Sequence, residues 1–223
     1  MKTCQILTAA LLVTCLSGGE SSRSPSPRLQ FNFNKYVDTL VTKIRTSATH
    51  MGLDPLPLPD VNKTLTVSLF RGGLTLTNGV LTDLSTIYRI NNATATLHVG
   101  SADVSVELGF EDLEYKYDYA AQIMDIGPHG LAHGSITDLH VSLNIILDTS
   151  NTSDITVALQ DLTLEHAGTI TVLLDGSIGV INSIVDAISN VITTILKDQI
   201  LGLIQDKVES AVKSAVADLH FSI

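Results

Sequence analysis

The sequence predicts an α+β fold in which a long curved antiparallel sheet is rolled around a long C-terminal helix, with a second helix at the N-terminus. Two patterns carry this prediction. Apolar residues alternate with polar ones from Thr64 to Leu174, and they recur at helical spacing from Asn182 to Leu219. Strands with one apolar face must bury it, and a long apolar helix offers a matching surface.

The C-terminal pattern predicts one unbroken helix. Its apolar positions follow the i, i+3, i+4, i+7 rule, and at 1.5 Å per residue it would be about 57 Å long. The opposite face carries little charge at first, with residues such as Ser183, Asn190 and Thr194, and becomes charged from Asp206 onward. Since a surface helix normally keeps a charged outer face, the first half is expected to be enclosed by the sheet.

A membrane span is the alternative interpretation of this helix. It is disfavoured because most windows of spanning length contain Asp186 or the pair Lys197 and Asp198, and each such residue costs about 2.5–3.5 kcal/mol at mid-bilayer. No polar spacer and fresh apolar tail follow, so we expect neither a transmembrane nor a lipid anchor.

Two phase slips interrupt the alternating strands. One falls between Phe110 and Leu113, and it predicts a β-bulge within a single strand, Val104–Tyr119, about 53 Å long. The other falls between Leu159 and Leu162 and predicts a second bulge. The shorter alternating runs are Leu65–Leu69, Leu74–Leu76, Leu97–Val99, Leu139–Leu147 and Ile170–Leu174.

The N-terminal helix is predicted with Asn34 as its N-cap. A proline-rich segment, residues 54–60, should end it and run on as an extended crossing segment, since proline lacks an N–H group and restricts the residue before it. The helix is expected to pack through residues at helical spacing: Tyr36, Val37, Leu40, Val41, Ile44, Ala48 and Met51.

The chain divides into three parts. Residues 1–19 are typical of a secretory signal peptide, with Lys2, an apolar stretch to Leu16 and small residues after it. Residues 20–30 form a Ser/Pro-rich flexible lead-in, and residues 31–223 form a single domain. Both cysteines, Cys4 and Cys15, lie in the signal, so the mature secreted, extracellular protein is expected to fold without disulfides.

Composition narrows the possible partners. Hydrophobic residues make up 44% and charged residues 16% of the chain, and the formal net charge is −10. An acidic chain without basic clusters argues against nucleic acid and against anionic lipid headgroups. Three sequons, at Asn62, Asn92 and Asn151, stand in polar stretches where loops and glycosylation are expected.

No catalytic pattern stands out. His129 and His133 have a spacing that suits a metal on a helix, but the prolines and glycines around them favour an ordinary turn. Glu111, Asp112, Glu114 and Asp118 are the densest carboxylates, but a paired-carboxylate site is disfavoured. Asp112, Glu114, Lys116 and Asp118 alternate with apolar residues and should form a solvated strand face. With no nucleophile elbow and no phosphate loop, we expect neither an enzyme nor a cofactor nor a metal.

Three tyrosines, Tyr115, Tyr117 and Tyr119, share the face of Leu113. They either pack the core, or line a ligand cavity in which a hydroxyl holds the polar end of the ligand. Their positions on one strand are consistent with both roles.

The order of elements resembles the tubular lipid-binding superfamily, which includes the bactericidal/permeability-increasing and lipopolysaccharide-binding proteins and the insect juvenile-hormone carriers. The chain is most similar to the mite group 7 allergens and related arthropod secreted proteins. The similarity covers nearly the whole mature chain. It is most specific at the helix start, residues 182–198, and at the early strand, residues 71–78.

Two departures shape what this resemblance implies. The hormone carriers have an N-terminal disulfide, for which this chain has no cysteines. The lipopolysaccharide binders present a basic tip, whereas this chain is acidic. The resemblance therefore implies a neutral, apolar ligand rather than endotoxin.

The leading hypothesis is a secreted carrier that holds a lipid or other small hydrophobic ligand in an apolar tunnel. The alternatives are an extracellular recognition protein that binds lipid aggregates or microbial lipid through an apolar tip, and an inert secreted protein with a filled core. The predicted tunnel lining is Leu40, Ile44, Leu108, Leu113, Tyr115, Leu139, Val141, Leu143, Ile188, Ile192 and Ile195.

Overall fold

The computed structural model describes residues 33–67, 70–123, 127–148, 150, 156–176 and 182–217. The predicted signal peptide, residues 1–19, and the lead-in, residues 20–30, lie outside them. The helical elements are α1 (Asn34–His50), a 3-10 turn (Leu84–Thr86), α2 (Asn182–Ile195), a π-helical turn (Leu196–Ile200) and α3 (Leu201–Ala217). The strands are β1 (Leu56–Leu58), β2 (Val61–Val67), β3 (Phe70–Thr82), β4 (Tyr88–Arg89), β5 (Thr94–His98), β6 (Ser101–Gly109), β7 (Leu113–Ile123), β8 (His129–Ile136), β9 (His140–Asp148), β10 (Thr156–His166) and β11 (Leu173–Leu174).

The described strands form two antiparallel sheets. The first has the order β1-β3-β7-β8-β11, with β2 also paired to β3. The second has the order β10-β9-β6-β4, with β5 also paired to β6. Together with the two helical regions, this confirms the predicted α+β class, although the curved surface is made of two sheets rather than one.

The chain changes sheets where a bulge was predicted. β6 belongs to the second sheet and β7 to the first, and Phe110 between them donates its N–H to the Leu139 carbonyl at 3.3 Å. The single long strand predicted over Val104–Tyr119 is therefore wrong. Its phase slip marks a connection between sheets, since the strands before and after it have different partners.

The second predicted bulge is confirmed. Along β10 the pairing with β9 shifts between Leu159 and Asp161, which leaves Gln160 as the extra residue. This shift keeps Val157, Leu159, Leu162 and Leu164 all opposite the inward residues of β9.

Helix α1 buries Val37, Leu40, Val41, Ile44 and Ala48, as its spacing predicts. Met51 is exposed and lies just beyond the helix end.

The start of α1 differs from the prediction. Its N-cap is Phe33, and Asn34 is its first residue. The Asn34 side chain accepts the Ala93 N–H at 2.9 Å and donates to the Asn92 side chain at 2.8 Å. It therefore fastens α1 to the segment before β5.

The long helix is present from Asn182 to Ala217, interrupted by the π-helical turn. By length and composition this helix would suit a membrane span, but a third of its most apolar window is buried within the protein. Helix α2 packs on β2 and β11, and α3 packs on α1 and β10.

The expected enclosure of the first half of this helix is wrong. Ser183, Asn190 and Thr194 are exposed, so the uncharged back face of α2 lies towards solvent. Helix α2 buries three residues and α3 buries six, which makes the charged second half the more enclosed part.

Candidate functional site

The eleven residues predicted to line a tunnel all lie in one buried apolar cluster. None of them is more than 2% exposed. The cluster joins both sheets and the helices, and apart from tyrosines no polar or charged side chain of the described residues is buried in it. The structure therefore brings the predicted set together, and its role as a ligand lining stays a prediction.

The three tyrosines of β7 pack into this core, and their hydroxyls bind backbone. Tyr115 donates to the Thr171 carbonyl at 2.6 Å, Tyr117 to the Pro59 carbonyl at 3.2 Å and Tyr119 to the Asp175 carbonyl at 3.1 Å. Burial raises the pKa of each of these tyrosines above its usual value. Because the three hydroxyls already donate to backbone carbonyls, the structure favours packing of the core by these tyrosines over contact with a ligand.

Among the described residues, a small gap lies between α1 and α3. Its volume is about 10 Å³, which is close to the space of a single water molecule. It is lined by Ile44, Ala48, Leu53, Leu84, Ile87, Phe110, Val208 and Ala211.

A much larger space lies on the surface, between β1 and the C-terminal helix. We call it the π-turn groove; it is an open groove of about 680 Å³. It is lined by Leu56, Pro57, Leu58, Pro59, Gln199, Gly202, Leu203, Asp206 and Lys207. None of the predicted lining residues belongs to it.

An apolar tip projects at the β5–β6 turn. Leu97 is 50% exposed and Val99 is fully exposed. The sequence pattern placed both on an inward face, so that prediction is wrong here. The side chains of His98 and Asp103 lie beside them and are hydrogen-bonded to each other at 2.9 Å.

The histidine and carboxylate predictions have mixed outcomes. His129 and His133 lie in strand β8 rather than in a turn, and His133 is 3.5 Å from the Asp175 carboxylate. Asp112, Glu114 and Asp118 are exposed, as predicted, and so is Glu111. Within the described part of the chain, no group of three or more His, Cys, Asp or Glu side chains could hold a metal ion.

The sequons occupy different settings. Asn62 lies within β2 rather than in a loop, and it accepts a hydrogen bond from the Thr75 hydroxyl at 2.9 Å. Asn92 is exposed in the segment before β5. Asn151 lies outside the described residues.

Sequence reasoning missed the π-turn groove. Gly202 was the available signal, because a glycine inside a helix costs about 1 kcal/mol relative to alanine and calls for a reason. The groove itself also needs β1, which lies far away in the sequence, so its walls could not be derived from one pattern.

Comparison with solved structures places the fold. A crystal structure of lipopolysaccharide-binding protein matches with a TM-score of 0.53 at 12% identity, covering 83% of this chain and 37% of that protein. Takeout 1 of Epiphyas postvittana matches with a TM-score of 0.45 at 15% identity, covering 82% of this chain and 91% of that one. The chain thus spans little over a third of lipopolysaccharide-binding protein, and it shares the fold of that part.

Within that fold the sequence identifies the family. The sequence model of the Group 7 allergens matches residues 32–216, most of the chain. The protein belongs to the Group 7 allergen family. No protein of curated function matches it in sequence.

Proposed function

We propose that this chain is a secreted carrier of a lipid or other small hydrophobic ligand held in its apolar interior. The observation that carries the proposal is the composition of that interior, where the described residues bury no charged side chain and no polar one apart from tyrosines. A ligand admitted there would be held by apolar burial, at about 25 cal/mol per Å², with few directional contacts.

The fold supports the same proposal. Lipopolysaccharide-binding protein, which shares the fold, binds a lipid-containing molecule according to its name. In this chain the gap of about 10 Å³ between α1 and α3 is far smaller than such a ligand. Uptake at this gap therefore requires core side chains to move apart, and the small residues Ala48 and Ala211 are among those that line it.

Two measurements test the carrier function. Protein from its native source is extracted with organic solvent and analysed by mass spectrometry, and lipid at a fixed ratio per chain is expected. The variant Val141→Trp then adds bulk at a position that is fully buried in the structure. It should abolish uptake of a fluorescent fatty acid while the protein stays folded.

The matched control is Ala120→Trp, which adds the same indole to an exposed position on β7. It should leave uptake unchanged. Overpacking typically costs about 1–3 kcal/mol, so the melting temperature of both variants is measured first. A folded Val141→Trp protein that binds as before, or one that unfolds because the core is filled, contradicts the interior site.

A second candidate function is recognition of lipid aggregates through the apolar tip. The exposed side chains of Leu97 and Val99 support it. Asp103 and Asp148 lie close by in the sheet. Because their carboxylates would repel anionic lipid, the lipid surface that binds this tip would be zwitterionic. Leu97→Ser combined with Val99→Ser should abolish binding to phosphatidylcholine vesicles, whereas Leu173→Ser, at another exposed leucine, should not. Equal binding by both proteins would refute this candidate.

We further propose that the protein is extracellular, has no transmembrane anchor, binds no nucleic acid and catalyses no reaction. The signal-like residues 1–19 and the sequons at Asn62, Asn92 and Asn151 support secretion with glycosylation. Endoglycosidase treatment of the natively secreted protein should lower its apparent mass, and unchanged migration would contradict glycosylation.

A further inference from the structure

The π-turn groove has the size and the walls of a ligand site. Its volume of about 680 Å³ falls within the range of about 300–1,000 Å³ that is usual for small-molecule pockets. On one side, Pro57 and Pro59 are exposed, whereas Leu56 and Leu58 are only 3% and 6% exposed. Leu203 of α3 contributes to the other side. The groove is mostly apolar and open to solvent.

A missing side chain keeps the groove open. Gly202 lies on α3 at the groove, and a Cβ atom added there would meet nothing within 4 Å. Neither positive φ nor close packing explains this glycine, since its backbone is helical and its surroundings are empty. An alanine would favour the helix by about 1 kcal/mol, so the glycine costs stability and preserves space.

The helix is irregular at the same place. The five-residue π-helical turn ends at Ile200, and its Gln199 lines the groove. Such turns occur mostly as single insertions and are frequent at functional sites. Here the turn sets the amide of Gln199 beside the apolar wall.

The groove also contains a cation. Lys207 lines it and makes no ion pair with any residue that the structure describes. Asp206, the neighbouring residue, also lines the groove and is exposed. On a helix, consecutive residues point about 100° apart, so one ligand group can meet the ammonium without meeting the carboxylate.

We propose that the π-turn groove binds a single acyl chain with an anionic end, as in a fatty acid, with the carboxylate at Lys207. The acyl chain lies along Pro57, Pro59 and Leu203, over the space that Gly202 leaves. This inference rests on the proposed lipid-binding function, but it assigns a second, external position for the ligand. It gives the ligand a definite class, a fatty-acid anion, in place of the neutral, apolar ligand that the family resemblance implies.

The test uses a displacement assay with a fluorescent fatty acid and the full secreted chain. Gly202→Leu fills the groove, and it should raise the melting temperature because leucine favours helix over glycine. Its affinity for the fatty acid should fall by at least about tenfold, which corresponds to about 1.4 kcal/mol. Ser214→Leu, at an exposed position of the same helix, is the matched control and should bind normally.

The charge is tested separately. Lys207→Gln should weaken binding of the fatty acid and leave binding of the alcohol of the same chain length unchanged. Asp206→Asn is its control and should not weaken either. An acid and an alcohol that bind equally to the wild-type chain contradict the role of Lys207.

The outcomes separate the groove from the carrier function. If Gly202→Leu binds as the wild type does while Val141→Trp does not, the groove proposal is wrong and the interior site stands. If Gly202→Leu loses binding while Val141→Trp keeps it, the ligand lies in the groove. If the wild-type chain takes up neither fatty acid nor alcohol, both proposals fail.

Discussion

Small residues in β8 allow the tyrosines of β7 to reach across the sheet. Opposite Tyr115, Tyr117 and Tyr119 lie Gly134, Ala132 and Gly130. A Cβ atom on Gly134 would meet the Thr171 carbonyl oxygen, and the Tyr115 hydroxyl at 3.0 Å. The absence of a side chain therefore lets the segment that carries β11 approach, so that the Thr171 and Asp175 carbonyls on either side of β11 accept from Tyr115 and Tyr119.

We expect Gly134→Ala to destabilise the protein. The added methyl group collides with backbone rather than with a flexible side chain, so β11 must shift, and the cost should be about 1–3 kcal/mol. Gly73→Ala is the control, because a Cβ atom there meets nothing within 4 Å. It should be neutral or slightly stabilising. Urea unfolding of both variants checks this, and equal midpoints would show that β11 is not fixed by this contact.

At the scale of elements, helix α1 is attached to the rest of the protein by both polar and apolar contacts. Polar contacts join it to the segment after the 3-10 turn: Asp38 pairs with Arg89 at 2.8 Å, and Arg45 donates to the Ile87 carbonyl at 2.7 Å. Arg89 lowers the pKa of the Asp38 carboxyl through their hydrogen bond. The Asp38 side chain is 55% exposed, however, so solvent screens the pair.

The apolar face of α1 should dominate its attachment. Ile44 is 1% exposed, and Ile44→Ala should cost about 2–5 kcal/mol. Asp38→Asn should cost at most about 1 kcal/mol, and the loss should shrink in high salt. Thermal unfolding in low and high salt measures both. A larger loss for Asp38→Asn would mean that the ion pair, rather than the core, holds the helix.

The apolar patterns predicted the presence of helices and strands better than they predicted the irregularities within and between them. The β10 bulge was recoverable because Leu159 and Leu162 both had to face the core. The slip before Leu113 looks the same in the sequence, yet it is a change of sheet, since only the partner strands distinguish the two.

The spacing of apolar residues in the C-terminal helix is consistent with its π-helical turn. Ile192, Leu196, Ile200, Ile204, Val208, Val212 and Val216 are all buried and recur every four residues. In a regular helix each such step drifts about 40°, so six steps would carry the stripe about 240° around the axis. The widened turn absorbs part of that drift.

For the whole molecule, the sequence predicted the α+β class and the order of its parts, because both depend on periodicity that is local. It could not predict the division into two sheets, which depends on pairings such as Leu76 with Tyr119 across the chain. The predicted lining residues came together because inward-facing positions of any rolled sheet converge. The surface groove and the exposed tip depend on where the elements end, and periodicity does not report that.

The chain alternates between its two sheets, and this alternation should make their unfolding cooperative. The first sheet draws strands from both ends of the described chain, and the second draws its strands from between them. Neither sheet is built from one contiguous stretch of the chain, since β7 and β8 of the first sheet come between β6 and β9 of the second. Protection of the slowly exchanging backbone amides should therefore be lost from both sheets in one cooperative event.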